Sequence, residues 1–513
     1  MTEAPDATPH DGPGQDTYGV VEPRVPLADA RVVLAGLGVT GRALRGVLEP
    51  RVASLVTVDD RAADADHGAL DAAGAAAVLA DADLLVASPG FAPHHAVVAA
   101  ALAAGVPVWS EVELAWRLRV DRLGAGEPAP WLGITGSNGK TTTVEMLAAI
   151  LRAAGLRTAA VGNVGRSLVE AALDPALDVL AVELSSFQLH FTHTMSLEAG
   201  AVLNVSADHL DWHGSLDAYA RDKGRIYERV QVACVYNVAD PRTEELVREA
   251  DVVEGARAVG FAVGSPSPGD LGLVDDVLVD RAFHAAADDP DRRRSAAELG
   301  TLADLAQLGD QAGVVPTHIV ADALAAAALA RAHGVPAAAV RDGLRTFGPS
   351  EHRIQRIAQA DGVTYVNDSK ATNAHSAAAS LAGFAHGTVV WIAGGLAKGA
   401  TFDDLVSSRA DRMRAAVVIG ADPGPLADTL ARHAPKVPVV VIDPGDTGTV
   451  MRRAVAAARD LAEPGDTVLL APAGASQDQF VSYAHRGQEF ARVVRELTGG
   501  TTDGHDGNEP PRS

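Results

Sequence analysis

Between Gly133 and Thr143 the chain reads GITGSNGKTTT, residue types suited to holding a nucleotide phosphate. The longer phosphate loop G-x-x-x-x-G-K-S/T needs glycine where Ile134 stands. The shorter T-G-x-x-G-K-T, Thr135 to Thr141, still follows an apolar strand and opens a helix, so the amides of residues 137–141 converge on one point. Lys140 can neutralise bridging phosphate oxygens, and the Thr141 hydroxyl suits Mg²⁺. Two later strand ends add to this chemistry: AVELSSFQ (181–188) offers the Glu183 carboxylate for Mg²⁺, and NVSADHLDWH (204–213) brings Asn204, His209, Asp211 and His213. His209 and His213 lack the glutamate of H-E-x-x-H and a third soft ligand, so a zinc reading of that pair is set aside.

Other groups fall at comparable places. GLGVTG (36–41) follows a strand and opens a helix, and Asp59 and Asp60 end the next strand, where a ribose carboxylate would sit. Taken alone this suggests a nicotinamide enzyme, but it marks a phosphate-tolerant helix N-terminus more securely than it marks the cofactor. YVNDSKATN (365–373), AGGLAKG (393–399) and APAGASQDQF (471–480) put polar and basic groups at three further strand ends. Facing the phosphate loop, they suggest a cleft that closes over two substrates.

The elements that must position these groups are short apolar runs alternating with Ala-rich helical stretches, the pattern of α/β units with mainly parallel sheets. At 513 residues the chain exceeds one core. We expect a tail at 1–24, a Rossmann-like domain at 25–125, a central ATP-binding domain at 130–347, a C-terminal Rossmann-like α/β domain at 348–498, and a tail at 499–513. The segment 262–316 lacks periodicity and reads as an irregular surface excursion. With 43 basic against 66 acidic side chains the net charge is −23, which disfavours nucleic acid and anionic lipid as partners. The single cysteine, Cys234, allows no intrachain disulfide. No signal peptide and no membrane-spanning run is expected, and a cytoplasmic monomer is the simplest reading.

T-G-S-N-G-K-T at 135–141, E-L-S-S-F-Q-L at 183–189, D-H-L-D at 208–211 and N-D-S-K-A-T-N at 367–373 together resemble the Mur ligases of peptidoglycan synthesis, most narrowly those that add D-glutamate. The resemblance spans roughly residues 30 to 497 and implies UDP, with no nicotinamide, at GLGVTG. It implies contacts from Val39, Thr40, Arg61 and Ser88 to the uridine diphosphate and from Asp59 toward the uracil, continued by Asn163 and Gln188. For ATP it implies Gly136, Ser137, Asn138, Gly139, Lys140, Thr141 and Thr142, with Arg353 toward the phosphates and Asp368 toward the ribose. One Mg²⁺ falls to Thr141 and Glu183 and a second to His209 and Lys223, the lysine carbamylated to N6-carboxylysine. Lys140, Glu183, His209 and Lys223 are the implied catalytic set, and Lys370, Thr372, Lys398, Ser476 and Tyr483 the D-glutamate site.

Three residues depart from the family pattern: Asp60 stands where relatives carry Thr, Ile319 replaces the Asn that contacts adenine, and Tyr483 replaces Phe. The implied reaction joins D-glutamate to UDP-N-acetylmuramoyl-L-alanine through an acyl phosphate, with ATP becoming ADP and phosphate. Its rivals are a ligase for another amino acid or for folate, a nicotinamide dehydrogenase, and a non-catalytic nucleotide-binding regulator.

Overall fold

The computed structural model describes residues 22–286, 288–309, 314–348, 354–397, 401–445 and 447–499. Of the tails expected at 1–24 and 499–513, residues 1–21 and 500–513 lie outside them; Glu22, within the first, accepts two hydrogen bonds from the Arg117 guanidinium, at 2.8 and 2.7 Å.

Apolar runs buried on both faces form parallel strands. β1 (Arg31–Ala35), β2 (Ser54–Val58), β3 (Leu84–Ala87) and β4 (Val108–Ser110) pair in the order β2-β1-β3-β4, all parallel. The turn after β1 depends on glycine, because a Cβ on Gly41 would stand 1.8 Å from the Gly36 carbonyl oxygen.

The central sheet runs from β5 (Trp131–Thr135), β6 (Thr158–Gly162), β7 (Val179–Glu183), β8 (Ala199–Val202) and β9 (Ala233–Asn237) into β10 (Arg257–Ala262), β11 (Leu271–Val274), β12 (Val277–Asp280) and β13 (Ala297–Thr301). Its order is β13-β12-β11-β10-β9-β8-β5-β7-β6. The supposed excursion at 262–316 is therefore corrected: β11, β12 and β13 form an antiparallel ribbon that extends the sheet. These strands are short and only half buried, so they show no long apolar run. Behind the sheet, Thr317–Ala332 is buried along Ala323 to Ala330 and packs on the helix Lys140–Ala153, as an apolar all-round helix must.

The third sheet takes β14 (Gln355–Ala360), β15 (Val363–Asn367), β16 (Val389–Gly394), β17 (Met413–Ile419), β18 (Val439–Val441) and β19 (Thr467–Ala473) in the order β14-β15-β19-β16-β17-β18. Among its described strands only the β14–β15 pair is antiparallel. In each sheet a central strand has neighbours reached in opposite directions: β1 between β2 and β3, β5 between β7 and β8, β19 between β15 and β16. Such switch points open crevices at strand C-termini. Among the described residues no helix is long and apolar enough to cross a membrane.

Candidate active site

The loop after β5 is held from beneath by the tip of β8. The amide of Asn138 donates to Asn204 Oδ1 at 2.8 Å, and the Ser137 hydroxyl lies 3.0 Å from the Ser206 carbonyl and 3.1 Å from the Tyr219 hydroxyl. Gly139 has φ +83°, and a Cβ there would meet Asp322 Oδ1 at 2.3 Å, so the loop tolerates only glycine at its last turn. Lys140 curls back, its ammonium donating to the carbonyls of Gly136 (2.8 Å) and Ser137 (3.0 Å). The Thr142 hydroxyl is buried without a partner among the described residues.

Around this loop four expected residues converge. Thr141 Oγ1 donates to Glu183 Oε2 at 2.6 Å, Asn163 Nδ2 donates to Glu183 Oε1 at 2.9 Å, and Lys370, from the third sheet, donates to Thr141 Oγ1. Lys223 is buried beneath them, its Nζ 2.9 Å from the Gly136 carbonyl and 4.4 Å from the Tyr219 ring centroid. Burial, reinforced by the Lys140 charge, pushes the Lys223 pKa well below that of an ordinary lysine. His209 lies on the tip after β8 with φ +52°, packed edge-on against Phe187 (4.7 Å) and 3.6 Å from Asp208 Oδ2.

At the third sheet's switch point, Asp368 is buried and accepts a hydrogen bond from Ser380 Oγ. The amide of Thr372 donates to the Lys370 carbonyl at 2.8 Å. The Ser476 hydroxyl is buried and unpartnered among the described residues. Tyr483 opens the helix Tyr483–Thr498, with its ring centroid 5.0 Å from Lys370 Nζ. Arg486 ties the strand ends together by donating to Ser369 Oγ, the Ser369 carbonyl and the Gly474 carbonyl; burial lowers its pKa to about 9. Arg353 and Lys398 lie outside the described residues.

On the first sheet, Val39 opens the helix after GLGVTG and is 92% exposed beside the half-buried Thr40. Asp59 accepts amide hydrogens from Leu37 (2.6 Å), Arg61 (2.8 Å) and Ala62 (2.7 Å). Burial raises its pKa, but these donors outweigh that and hold the carboxylate below its usual range. Arg61 is exposed, Ser88 Oγ lies 3.4 Å from the Gly36 carbonyl, and Asp60 pairs with His95 at 3.3 Å. Gln188 is buried: its Oε1 accepts from the Ser185 amide and hydroxyl, and its Nε2 donates to Glu111 Oε1 at 2.6 Å.

Sequence reasoning missed Glu111 and Glu113, both buried where the first sheet meets the central one. In EVELAWRL they look like ordinary acids in a helix's first turn. Glu113 accepts from the His193 and Thr194 amides, the Thr194 hydroxyl and Arg117, at 2.6–2.8 Å. Glu111 is raised to about 7 by burial, offset in part by Gln188. Ile319 is half-buried and packs against the central core.

Comparison with known proteins matches residues 134–330 to the Mur ligase middle domain and residues 352–474 to the Mur ligase glutamate ligase domain. A UDP-N-acetylmuramoylalanine--D-glutamate ligase of Streptomyces coelicolor is 55% identical, covering 91% of this chain and 98% of that protein. Proteins of the same name from Thermobifida fusca and Mycolicibacterium smegmatis are 49% and 46% identical, over 92% and 94% of this chain and all of theirs. Among solved structures, the UDP-N-acetylmuramate-alanine ligase of Thermotoga maritima shares the fold at TM-score 0.53 and 15% identity, covering 91% of this chain and 100% of that one.

Proposed function

The chain belongs to the Mur ligase family, and from that premise we infer that it joins D-glutamate to UDP-N-acetylmuramoyl-L-alanine, the ligation for which its relatives are named, with ATP as co-substrate. The observation that carries this reading is the meeting of Lys370 with the Thr141–Glu183 pair across the phosphate loop. One strand end supplies an amino-acid-binding cation and the other a phosphate site, so the two half-reactions share one point.

The donor sets suit two Mg²⁺ ions. Thr141 and Glu183 present buried oxygens, and the Lys370 ammonium already rests on the Thr141 hydroxyl, so this pair accepts a cation. His209 and Lys223 would hold the second ion once Lys223 is N6-carboxylysine. The depressed Lys223 pKa favours the neutral amine, which is the form that adds CO₂. When bound, the ions offset phosphate charge during transfer.

The substrate carboxylate resists amines because it is an anion without a good leaving group. Its attack on the γ-phosphate of ATP forms an acyl phosphate and releases ADP. Lys140 exchanges the loop carbonyls for phosphate oxygens, while the amides of residues 137–141 and the Thr142 hydroxyl orient them. Asp368 lies toward the ribose, and Arg353 serves the phosphates. Val39, Thr40, Asp59, Arg61, Ser88 and Asn163 accompany the uridine diphosphate sugar, and Gln188, held inside the domain junction, shapes that site from behind. Lys370, Thr372, Lys398, the Ser476 hydroxyl and Tyr483 receive the D-glutamate carboxylates. The D-glutamate amine then attacks the acyl carbon, and the tetrahedral intermediate expels phosphate to leave the amide. Positioning and electrostatics suffice, and no enzyme nucleophile is required.

We read the protein as a monomer, and its single cysteine, the buried Cys234, which allows no intrachain disulfide, fits the cytoplasm. Phosphate release should require UDP-N-acetylmuramoyl-L-alanine and D-glutamate together. Preference for L-glutamate or L-lysine, or NAD(P)H binding without ATP turnover, would contradict the assignment.

A further inference from the structure

Three side chains that the ligation does not use meet at one point beside the active site. His190 ends the short helix Ser186–His190, His213 ends Leu210–His213, and Asp222 lies on Leu216–Gly224. Nδ1 of His190 is 2.9 Å, and Nδ1 of His213 is 2.7 Å, from the same oxygen, Oδ2 of Asp222. We propose that His190, His213 and Asp222 form a binding site for a zinc-type transition-metal ion, separate from the Mg²⁺ positions, which fastens the helix carrying Lys223 to the one carrying Gln188.

The three candidate ligand atoms lie within 4.8 Å of one another. Two imidazole nitrogens and one carboxylate oxygen suit Zn²⁺ or Co²⁺, whereas Mg²⁺ prefers oxygen throughout. Ser186 Oγ lies 2.9 Å from Nε2 of His213, the outer contact by which proteins fix the tautomer and angle of a ligating imidazole. Aromatic rings hold both imidazoles in place. Phe187 stacks on His213 at 5.4 Å, Trp212 meets His190 at 4.9 Å, and Tyr219 meets His213 at 5.1 Å. The His213 side chain is fully buried while that of His190 is 12% exposed, so an ion has access from one edge. Tetrahedral bonds of about 2.0 Å separate ligand atoms by about 3.3 Å, so the two N···O edges need to open by only about half an ångström. The same short edges would also arise if protons alone bridged the imidazoles to Asp222, and a metal-binding measurement separates the two arrangements.

The test uses untagged full-length protein, stripped with chelator and kept in excess Mg²⁺ so that the Mg²⁺ positions are filled, and titrated with Co²⁺. The expected result is one equivalent bound, with the visible absorption of four-coordinate cobalt and a rise in Tm of several degrees, both reproduced competitively by Zn²⁺. Asp222→Asn and His190→Gln should lose the absorption and the Tm rise. His190→Gln keeps a hydrogen-bond donor for Asp222, so it guards against simple misfolding. His209→Ala should retain both signals. Failure of folded wild-type protein to take up Co²⁺ would overturn the proposal in favour of proton bridges. Uptake lost in His209→Ala but kept in His190→Gln would overturn it in favour of a metal at the reaction site.

Discussion

The junction between the first and central sheets is built unlike the junction between the central and third sheets. At the first, one continuous apolar cluster passes through Trp109, Trp116, Trp131, Leu180 and Leu184, and buried Glu111 and Glu113 take hydrogen bonds from Gln188, His193 and Thr194. At the second, among the described residues, the apolar clusters of the third sheet hold only its own residues. Contacts there join polar side chains: Lys370 to Thr141, Ser376 and Asn373 to Asn138, and Asn373 to Asp208. A shared core is lost only by unfolding, whereas polar contacts around a phosphate loop are ones that a nucleotide can replace. The first junction is therefore a fixed wall, and we read the second as a face whose contacts a bound nucleotide would replace.

Substitutions at the two junctions should fail in opposite ways. The largest effect is expected at the rearranging face, where Lys370→Ala should lower kcat/KM for D-glutamate by about a thousandfold or more with Tm nearly unchanged. A large fall in Tm would show that this face is structural after all. Lys223→Ala, beneath the same loop, should reduce kcat by a few hundredfold or so, with partial recovery on adding short carboxylic acids; wild-type turnover would remove the carbamate from the account.

At the fixed wall Glu113→Ala leaves two amides, the Thr194 hydroxyl and part of Arg117 without their buried acceptor, and should destabilise the folded chain by about 3–5 kcal/mol in denaturant titration. The protein that remains folded should turn over normally, and loss of activity without loss of stability would erase the contrast. Glu111 gives the wall a pH dependence. Its folded pKa of about 7 exceeds the ordinary 4.5, so between those values the folded chain binds the extra proton. Its favourable contribution is complete below about pH 4.5 and is lost as pH rises through 7, a penalty of about 3 kcal/mol above that. Glu111→Gln should flatten the decline in stability from pH 5 to 8, and an unchanged decline would place its origin elsewhere. The smallest effect belongs to Tyr483→Phe, which keeps the ring over Lys370 and should alter KM for D-glutamate by less than about threefold.

The three sheets and the phosphate loop were legible because strands buried on both faces must be continuous apolar runs, and β1, β5, β7, β8, β15 and β19 are followed directly by candidate site residues. β11 and β12 escaped notice because they are four residues each and only partly buried, although LVDDVLV, two apolar runs around Asp275 and Asp276, is a two-residue hairpin signal. The residues at the wall were not legible. An acid in a helix's first turn looks the same in sequence whether it faces water or, as with Glu111 and Glu113, another domain. Gln188, expected at the substrate, has its amide engaged by Ser185 within its own helix cap and by Glu111, and the second contact is one that only the packing of two sheets creates. Ile319, where the resemblance expects the Asn that contacts adenine, is half-buried against the central core, as its apolar side chain favours.

The proposed ligation requires the loop at 133–143 to present the γ-phosphate of ATP to the substrate carboxylate. It is tested most directly by supplying UDP-N-acetylmuramoyl-L-alanine with ¹⁸O in the alanyl carboxylate and analysing the released phosphate by mass spectrometry. Attack through an acyl phosphate predicts one ¹⁸O atom in each phosphate formed with product. Phosphate free of ¹⁸O, at full product yield, would contradict it.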